Sequence, residues 1–466
     1  MWSSDNTQFG FAFIPLLVFT IAIVFVLYVS RDYVNRQTSP LSSYTSREEL
    51  TKPIKSDYNL SFLKVSGKNI TDGSEKIVYL RGFQGLGFYP IPSDLYMAAI
   101  NKKGISFASL DSAAKDLNQY TITEYDINEI KSTGANVVRV WFVLHEIEKE
   151  PYKYSKEALD LLETTINEFG DAGIYTILVL GKVGQNSYPP SNPYLNQGIS
   201  FWENTDNIQD RTVKLWGILA ERLQNNPNVA AYDVINEPVA PSKDALRSYY
   251  EDAITEIRKY DLNHILILET DNLHKTEYQL GGKYEDTNLV GSFHFYFPHD
   301  FTLSSGTEYM IDGLEYPGGT FCAHANRPGC EKITWTKNTL EEILIQALAA
   351  EDFQDIPVFV GEFGANSVRD DTGALKWVED TFSLLNKYNL HYTYHNYRLP
   401  NTHGYYFVQN PEKQKKIERV VKEISSGNIK FSEITEEQKE LLKTENSYKL
   451  RPGIKEIVTK GFKNQL

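Results

Sequence analysis

Two glutamates stand where apolar runs end, a placement suited to acid–base and nucleophilic work. Glu237 closes VAAYDVI within Asn236-Glu237-Pro238, and Glu362 closes PVFVG within GEFG. Arg139 interrupts NVVRVWF, and His294 and Tyr296 lie at the end of LVGSF. One Glu after an apolar run is ordinarily a helix cap or a loop residue; polar residues at several such ends call for a common cause. Cleaving a glycosidic bond with retention needs two carboxyl groups about 5 to 5.5 Å apart, one to attack the anomeric carbon and one to protonate the leaving oxygen. Arg139 would keep a neighbouring carboxylate ionised, and the Tyr296 phenol could donate to the same oxygen. The other carboxyl must start protonated, raised by partial burial and by the negative nucleophile beside it. Asn236 is placed to bond a sugar hydroxyl. This chemistry requires no metal or cofactor, and His299 and His324 have no neighbours at ligand spacing.

Residues so far apart can meet only if a fold gathers strand ends on one face. Eight short apolar runs qualify as strands: Ile77 to Phe83, Asn136 to Phe142, Ile174 to Gly181, Val229 to Asn236, His264 to Thr270, Leu289 to Tyr296, Pro357 to Glu362 and His391 to Asn396. Helical patterns separate most of them, among them Lys156 to Phe169, Asp210 to Leu223, Lys243 to Tyr260, Leu340 to Ala350 and Gly373 to Tyr388. The alternation predicts parallel βαβ units and a closed (β/α)8 TIM barrel, with an open doubly wound sheet as the alternative. A barrel's C-terminal strand ends carry its chemistry. The long segments Pro90 to Asp126 and Pro298 to Lys337 would then wall a cleft. The C-terminal region from Pro411 reads as the last barrel helix plus a helical extension ending near Arg451-Pro452. Trp202 and Trp216 read as packing, whereas Tyr188, Tyr194, Tyr316 and Trp335 sit in loops where a sugar could stack.

These motifs resemble glycoside hydrolase family 5, in clan A of the retaining barrel enzymes, from about Tyr79 to Arg398 and more weakly beyond. LRGFQGLG looks like the family's first strand, VRVW carries the second-strand Arg, VAAYDVINEP looks like the fourth strand, SFHFYFPHDFT the sixth and VFVGEFGA the seventh. The resemblance implies Glu237 as acid/base and Glu362 as nucleophile, with Arg139, Asn236, His294 and Tyr296 in support, acting on β-linked polysaccharide or oligosaccharide of the glucan or mannan class. Two positions depart from the pattern. Lys182 stands where many members have a third-strand His, and His395 where they have an eighth-strand Trp that forms a sugar-stacking floor. These keep open a barrel that binds carbohydrate with impaired catalysis, or a transglycosylase at the cell envelope.

A net charge of -14 excludes a nucleic-acid partner, which requires clustered Lys and Arg, and suits an uncharged substrate. Phe9 to Val29 runs 21 residues without a charge, about 31 Å of helix, the thickness of a bilayer core. It reads as an uncleaved single-pass membrane anchor (1–30), with a cleaved signal as the alternative, followed by a polar linker (31–58) and the barrel domain (59–466). Arg31 and Arg36 after the span would by themselves place the barrel in the cytoplasm. Cys322 and Cys330, the chain's only cysteines, are close enough to pair, and a disulfide there would persist only in an oxidising compartment. The sequons at Asn59 and Asn69 occur by chance too often to add weight; on the cysteine pair the expected location is extracellular or periplasmic.

Overall fold

Eight parallel strands close on themselves: β1 (Arg81–Gly87), β2 (Val137–Phe142), β3 (Tyr175–Leu180), β4 (Val229–Asp233), β5 (Ile265–Glu269), β6 (Leu289–Phe295), β7 (Val358–Phe363) and β8 (His391–His395). Neighbours in sequence are neighbours in the barrel, and β8 pairs with β1 to complete it. The open-sheet alternative is thereby excluded. In this computed structural model the described residues are 45–54, 57–88, 107–181, 201–270, 279–303, 314–323, 331–398, 404–407 and 410–466. Met1–Ser46 is a unit separate from Arg47–Leu466. The apolar run Phe9 to Val29 lies outside the described residues, as do Lys182, Tyr188, Tyr194, His324, Cys330 and His403. Among the described residues no helix is long and apolar enough to cross a membrane.

The strands are buried almost throughout because helices cover their outer faces, which is why they read as apolar runs rather than alternating ones. Helices α1 (Phe107–Thr121) and α2 (Glu124–Ser132) follow β1; α3 (Lys156–Asp171), α4 (Ile208–Leu223) and α5 (Lys243–Arg258) follow β2, β3 and β4. Then α6 (Lys337–Leu348) follows β6, α7 (Ala374–Lys387) follows β7, and α8 (Pro411–Ser425) and α9 (Ile454–Phe462) follow β8. The side chains of Ser155, Ser242 and Thr336 cap α3, α5 and α6 by accepting from Ala158, Ala245 and Thr339 N–H groups. Each satisfies a donor that the first helical turn leaves unpaired.

A small hairpin, Lys64–Ser66 with Asn69–Thr71, plugs the N-terminal end of the barrel. Its Leu63 and Ile70 join Val137, Ile177, Ala231, Ile267 and Phe359 in one buried apolar cluster. The opposite end is polar, so the barrel has a stability end and a chemistry end.

Two expectations are corrected. The first strand begins at Arg81 rather than Ile77 and continues to Gly87. Ile77 is 44% exposed and bridges antiparallel to Thr71 in the hairpin region. Packing requires glycine within this strand: a Cβ on Gly85, at φ +88°, would lie 2.4 Å from the Asn396 Cβ. Nor does the chain's last helix end near Pro452. Helix α9 lies beyond it and closes the layer over β8 and β1, its Phe462 ring 5.0 Å from Phe83 and 5.6 Å from Phe382. The Gly461 carbonyl accepts from Asn386 Nδ2 and the Tyr392 hydroxyl. Helix α8, expected to be the last barrel helix, packs instead beside α1.

Candidate active site

Arg139 organises the polar end of the barrel. It is fully buried on β2, where register sets Gln84 of β1 beside it and His395 of β8 beside Gln84. Its Nε donates to Asp233 Oδ2 at 2.9 Å. Nη1 donates to Gln84 Oε1 at 2.5 Å and Glu362 Oε1 at 3.1 Å, and Nη2 to Asn236 Oδ1 at 3.0 Å and Glu269 Oε1 at 2.5 Å. Burial opposes the guanidinium's charge, but Asp233, Glu269 and Glu362 outweigh it and hold its pKa above the ordinary value. Burial, helped by Glu269, pushes the Asp233 carboxyl up despite Arg139.

Glu362, on β7, accepts from Arg139, from Gln84 Nε2 at 2.9 Å and from the Tyr296 hydroxyl at 2.8 Å. Burial alone would favour its neutral acid. The positive charges of His294, of His395 once protonated and of Arg139, with the Tyr296 bond, outweigh that, so Glu362 lies well below the usual carboxylate range. Tyr296, its own pKa raised by burial and by Glu362, keeps its proton and remains a donor.

Glu237 follows β4, its side chain 18% exposed. Its backbone is left-handed, φ 46°, a conformation costly for a residue with a Cβ. Its N–H donates to Glu269 Oε2 at 2.7 Å, which secures the turn. His294 Nδ1 lies 3.0 Å from Glu237 Oε1, 3.7 Å from Glu362 Oε2, and its Nε2 is 3.3 Å from Glu269 Oε1. Burial would lower the His294 pKa; Glu269, Glu362 and the Glu237 bond hold it well above its ordinary value.

One carboxylate oxygen of Glu237, one of Glu362 and a ring nitrogen of His294 lie within 4.8 Å of one another. Among the described residues this is the one group with metal-ligand spacing. The cationic position beside Glu362 is filled by Arg139, and the His294 ring is held protonated, so the set suits proton transfer better than ligation. One oxygen of each carboxylate thus lies within 4.8 Å of the other, close enough for both groups to reach a single bond.

The structure therefore gathers Glu237, Glu362, Arg139, Asn236, His294, Tyr296 and His395 at one end of the barrel. Sequence reasoning missed Gln84, Asp233 and Glu269. Glu269 ends the apolar run ILILE, the same signal that singled out the other two glutamates. Tyr316 and Trp335 are not stacking platforms: both are buried, Tyr316 donating to Asp380 and Trp335 Nε1 to the Phe321 carbonyl. Trp216 is core, as expected, donating to the Val234 carbonyl. Cys322 is disulfide-bonded, its only possible partner within the chain, Cys330, lying outside the described residues.

Residues 98–422 match the family model for cellulase, glycosyl hydrolase family 5. A β-xylosidase of Phanerodontia chrysosporium is 30% identical over 45% of this chain and 46% of its own length, so the chain spans about half of that relative. Endoglucanase C of Acetivibrio thermocellus is 25% identical over 59% of this chain and 84% of its own. Among solved structures, an endogalactoceramidase covers 86% of this chain and 85% of its own at TM-score 0.54 and 17% identity. Endo-glycoceramidase II of Rhodococcus sp. covers 73% and 77% at TM-score 0.52 and 17% identity. Those two likenesses establish the barrel fold alone, and the family match is the stronger finding: the chain belongs to the cellulase family, glycosyl hydrolase family 5, a family of glycosidases that hydrolyse O-glycosyl bonds.

Proposed function

We propose that this chain hydrolyses β-linked glucan or mannan-type sugars with retained configuration by double displacement. The observation that carries the reading is the pair Glu237 and Glu362, one carboxylate oxygen of each within 4.8 Å, with Glu362 held by Arg139, Gln84 and Tyr296. Glu362, held ionised, attacks the anomeric carbon while Glu237 gives its proton to the departing glycosidic oxygen, leaving a glycosyl ester on Glu362. Glu237, now a carboxylate, takes a proton from water; the hydroxide attacks the same carbon and the bond to Glu362 breaks, restoring both groups. An acceptor hydroxyl in place of water gives transglycosylation by the same steps. Asn236, its Oδ1 fixed on Arg139, and His294 orient substrate and acid.

The chain is anchored by Phe9 to Val29 with the barrel on the extracellular or periplasmic side. The oxidised Cys322 supports that side. The test is the anomer of the first product, read by proton NMR before mutarotation from a panel of β-glucans, β-mannans and aryl glycosides. A β-configured product is expected. An inverted product would overturn the mechanism, and saturable polysaccharide binding without turnover would leave a binding barrel.

A further inference from the structure

The glutamine between Arg139 and His395 has its orientation dictated from one side. A guanidinium only donates, so the 2.5 Å contact with Arg139 Nη1 forces Gln84 to present Oε1 there. Its Nε2 then faces Glu362 Oε1 at 2.9 Å and His395 Nδ1 at 2.8 Å. The amide has two hydrogens. One goes to the carboxylate and the other to the ring nitrogen, which must accept it and so carries no proton. From this chain of donors we infer that His395 is a positioning residue for the nucleophile: neutral, with its proton on Nε2, it holds Gln84 on Glu362, and protonation of its Nδ1 breaks that arrangement. The inference rests on the reading of Glu362 as nucleophile.

The surroundings agree. His395 ends β8 with its side chain 20% exposed, 3.6 Å by Nδ1 from Glu362 Oε2. Burial holds its pKa below the ordinary imidazole value, against the pull of Glu362. The charged or titratable groups around the ring are Glu362 on β7, His294 on β6, Tyr296 just after β6, Glu237 after β4 and Arg139 on β2, with the Tyr296 ring centroid 6.1 Å away at 85°. Gln84, from β1, adds no charge. Glu362 itself titrates well below the usual carboxylate range. Protonation of His395 Nδ1, which cannot coexist with the Gln84 bond, then sets the acidic limb of activity. Once protonated, Nδ1–H would confront Gln84 N–H at 2.8 Å, and Gln84 could not turn over without presenting its amide hydrogens to Arg139. The new imidazolium would instead pair with Glu362, engaging the electron pair that attacks the sugar.

The test compares pH profiles of kcat/KM for the wild-type chain, His395→Asn and His395→Ala. Asn supplies an acceptor near the Nδ1 position that does not titrate. Its acidic limb should move to lower pH while kcat at the optimum stays within about tenfold of wild type, whereas Ala should lose about 100-fold, as misplacement of a reacting group does. An acidic limb in His395→Asn that superimposes on wild type, or equal losses in the two variants, would overturn the inference. Nitrogen-15 NMR of histidine-labelled wild type needs no variant to fold: Nδ1 should be unprotonated at neutral pH, and a proton there would overturn the assignment. Full activity in Glu362→Gln would sink the reading of the site itself; loss of activity there, with unmoved limbs in the His395 variants, would sink only the positioning role.

Discussion

Glu269→Gln removes one charge while preserving shape, at a carboxylate that already serves an arginine, a backbone amide and a histidine. Glu269 accepts from Arg139 Nη2 at 2.5 Å and from the Glu237 N–H at 2.7 Å, and pairs with His294 Nε2 at 3.3 Å. An amide can accept through one oxygen only, so its NH2 must face Arg139 or the Glu237 N–H, donor against donor. Losing one charge-assisted hydrogen bond and stranding a buried donor costs about 1.5 to 3 kcal/mol. Because the stranded donor is the backbone of Glu237, the proposed acid/base, that cost falls on its placement, and kcat/KM should drop by about 10- to 150-fold at 1.36 kcal/mol per decade. Stability carries a second signature. The raised His294 pKa means that its charge stabilises the fold fully below the unfolded value, near about 6.5, and that this contribution fades as pH rises through the folded value. Burial already opposes that charge; without Glu269 the folded pKa falls and the contribution shrinks. The gap in unfolding free energy between wild type and variant should be widest between about pH 5 and 6.5 and narrow at alkaline pH. Urea titrations across pH, beside initial rates, measure both. Wild-type kcat/KM, or a stability gap independent of pH, would refute the reasoning.

Glu362→Gln should lose roughly four orders of magnitude in kcat on every substrate, as removal of a covalent nucleophile does; retained turnover would strike Glu362 from its role. Glu237→Gln should lose far more on alkyl than on nitrophenyl glycosides, because a good leaving group needs no proton in the first step, and an equal loss on both would argue against acid catalysis. Removing residues 1–46, which form a unit apart from Arg47–Leu466, should move the protein from the membrane to the soluble fraction with kcat/KM within about twofold. Continued membrane association of the shortened chain would exclude Phe9 to Val29 as the anchor.

What could be read from the sequence divides along a physical line. Hydropathy marks where a buried strand ends, so Asn236, Glu237, Glu362, His294 and Tyr296 were legible as polar residues at apolar termini, whereas His395 stood out only against the family's pattern. Barrel register is set by stagger between strands that hydropathy does not encode. For that reason nothing marked Asp233, inside the expected fourth strand, as a partner of Arg139. Gln84 was lost differently, because the first strand was placed four residues early on the apolar IVYL and its glycines discounted. Glu269 met the same rule as the other glutamates. What hid it is that nothing local reveals whether such a carboxylate will face substrate or the backbone of another residue. Helix α9 was hidden because Pro452 reads as a stop, although a proline can equally precede a new helix.

The missed residues explain how one cation serves two carboxylates with opposite tasks. A guanidinium has five N–H groups, and Arg139 places them on Asp233, Gln84, Glu362, Asn236 and Glu269. None remains for a sugar, so its work is to orient. It holds Glu362 directly and again through the Gln84 amide. It reaches Glu237 through Glu269, which takes both an Arg139 hydrogen and the Glu237 N–H, and through Asn236 immediately before it. A lysine could offer three donors from a single point and could not span these five acceptors, which lie on β1, β4, β5 and β7 or just beyond their ends. The placement of Glu362, the proposed nucleophile, and Glu237, the proposed acid, is therefore a property of one buried fork and the strands that saturate it, with His395 attached to the same frame through Gln84.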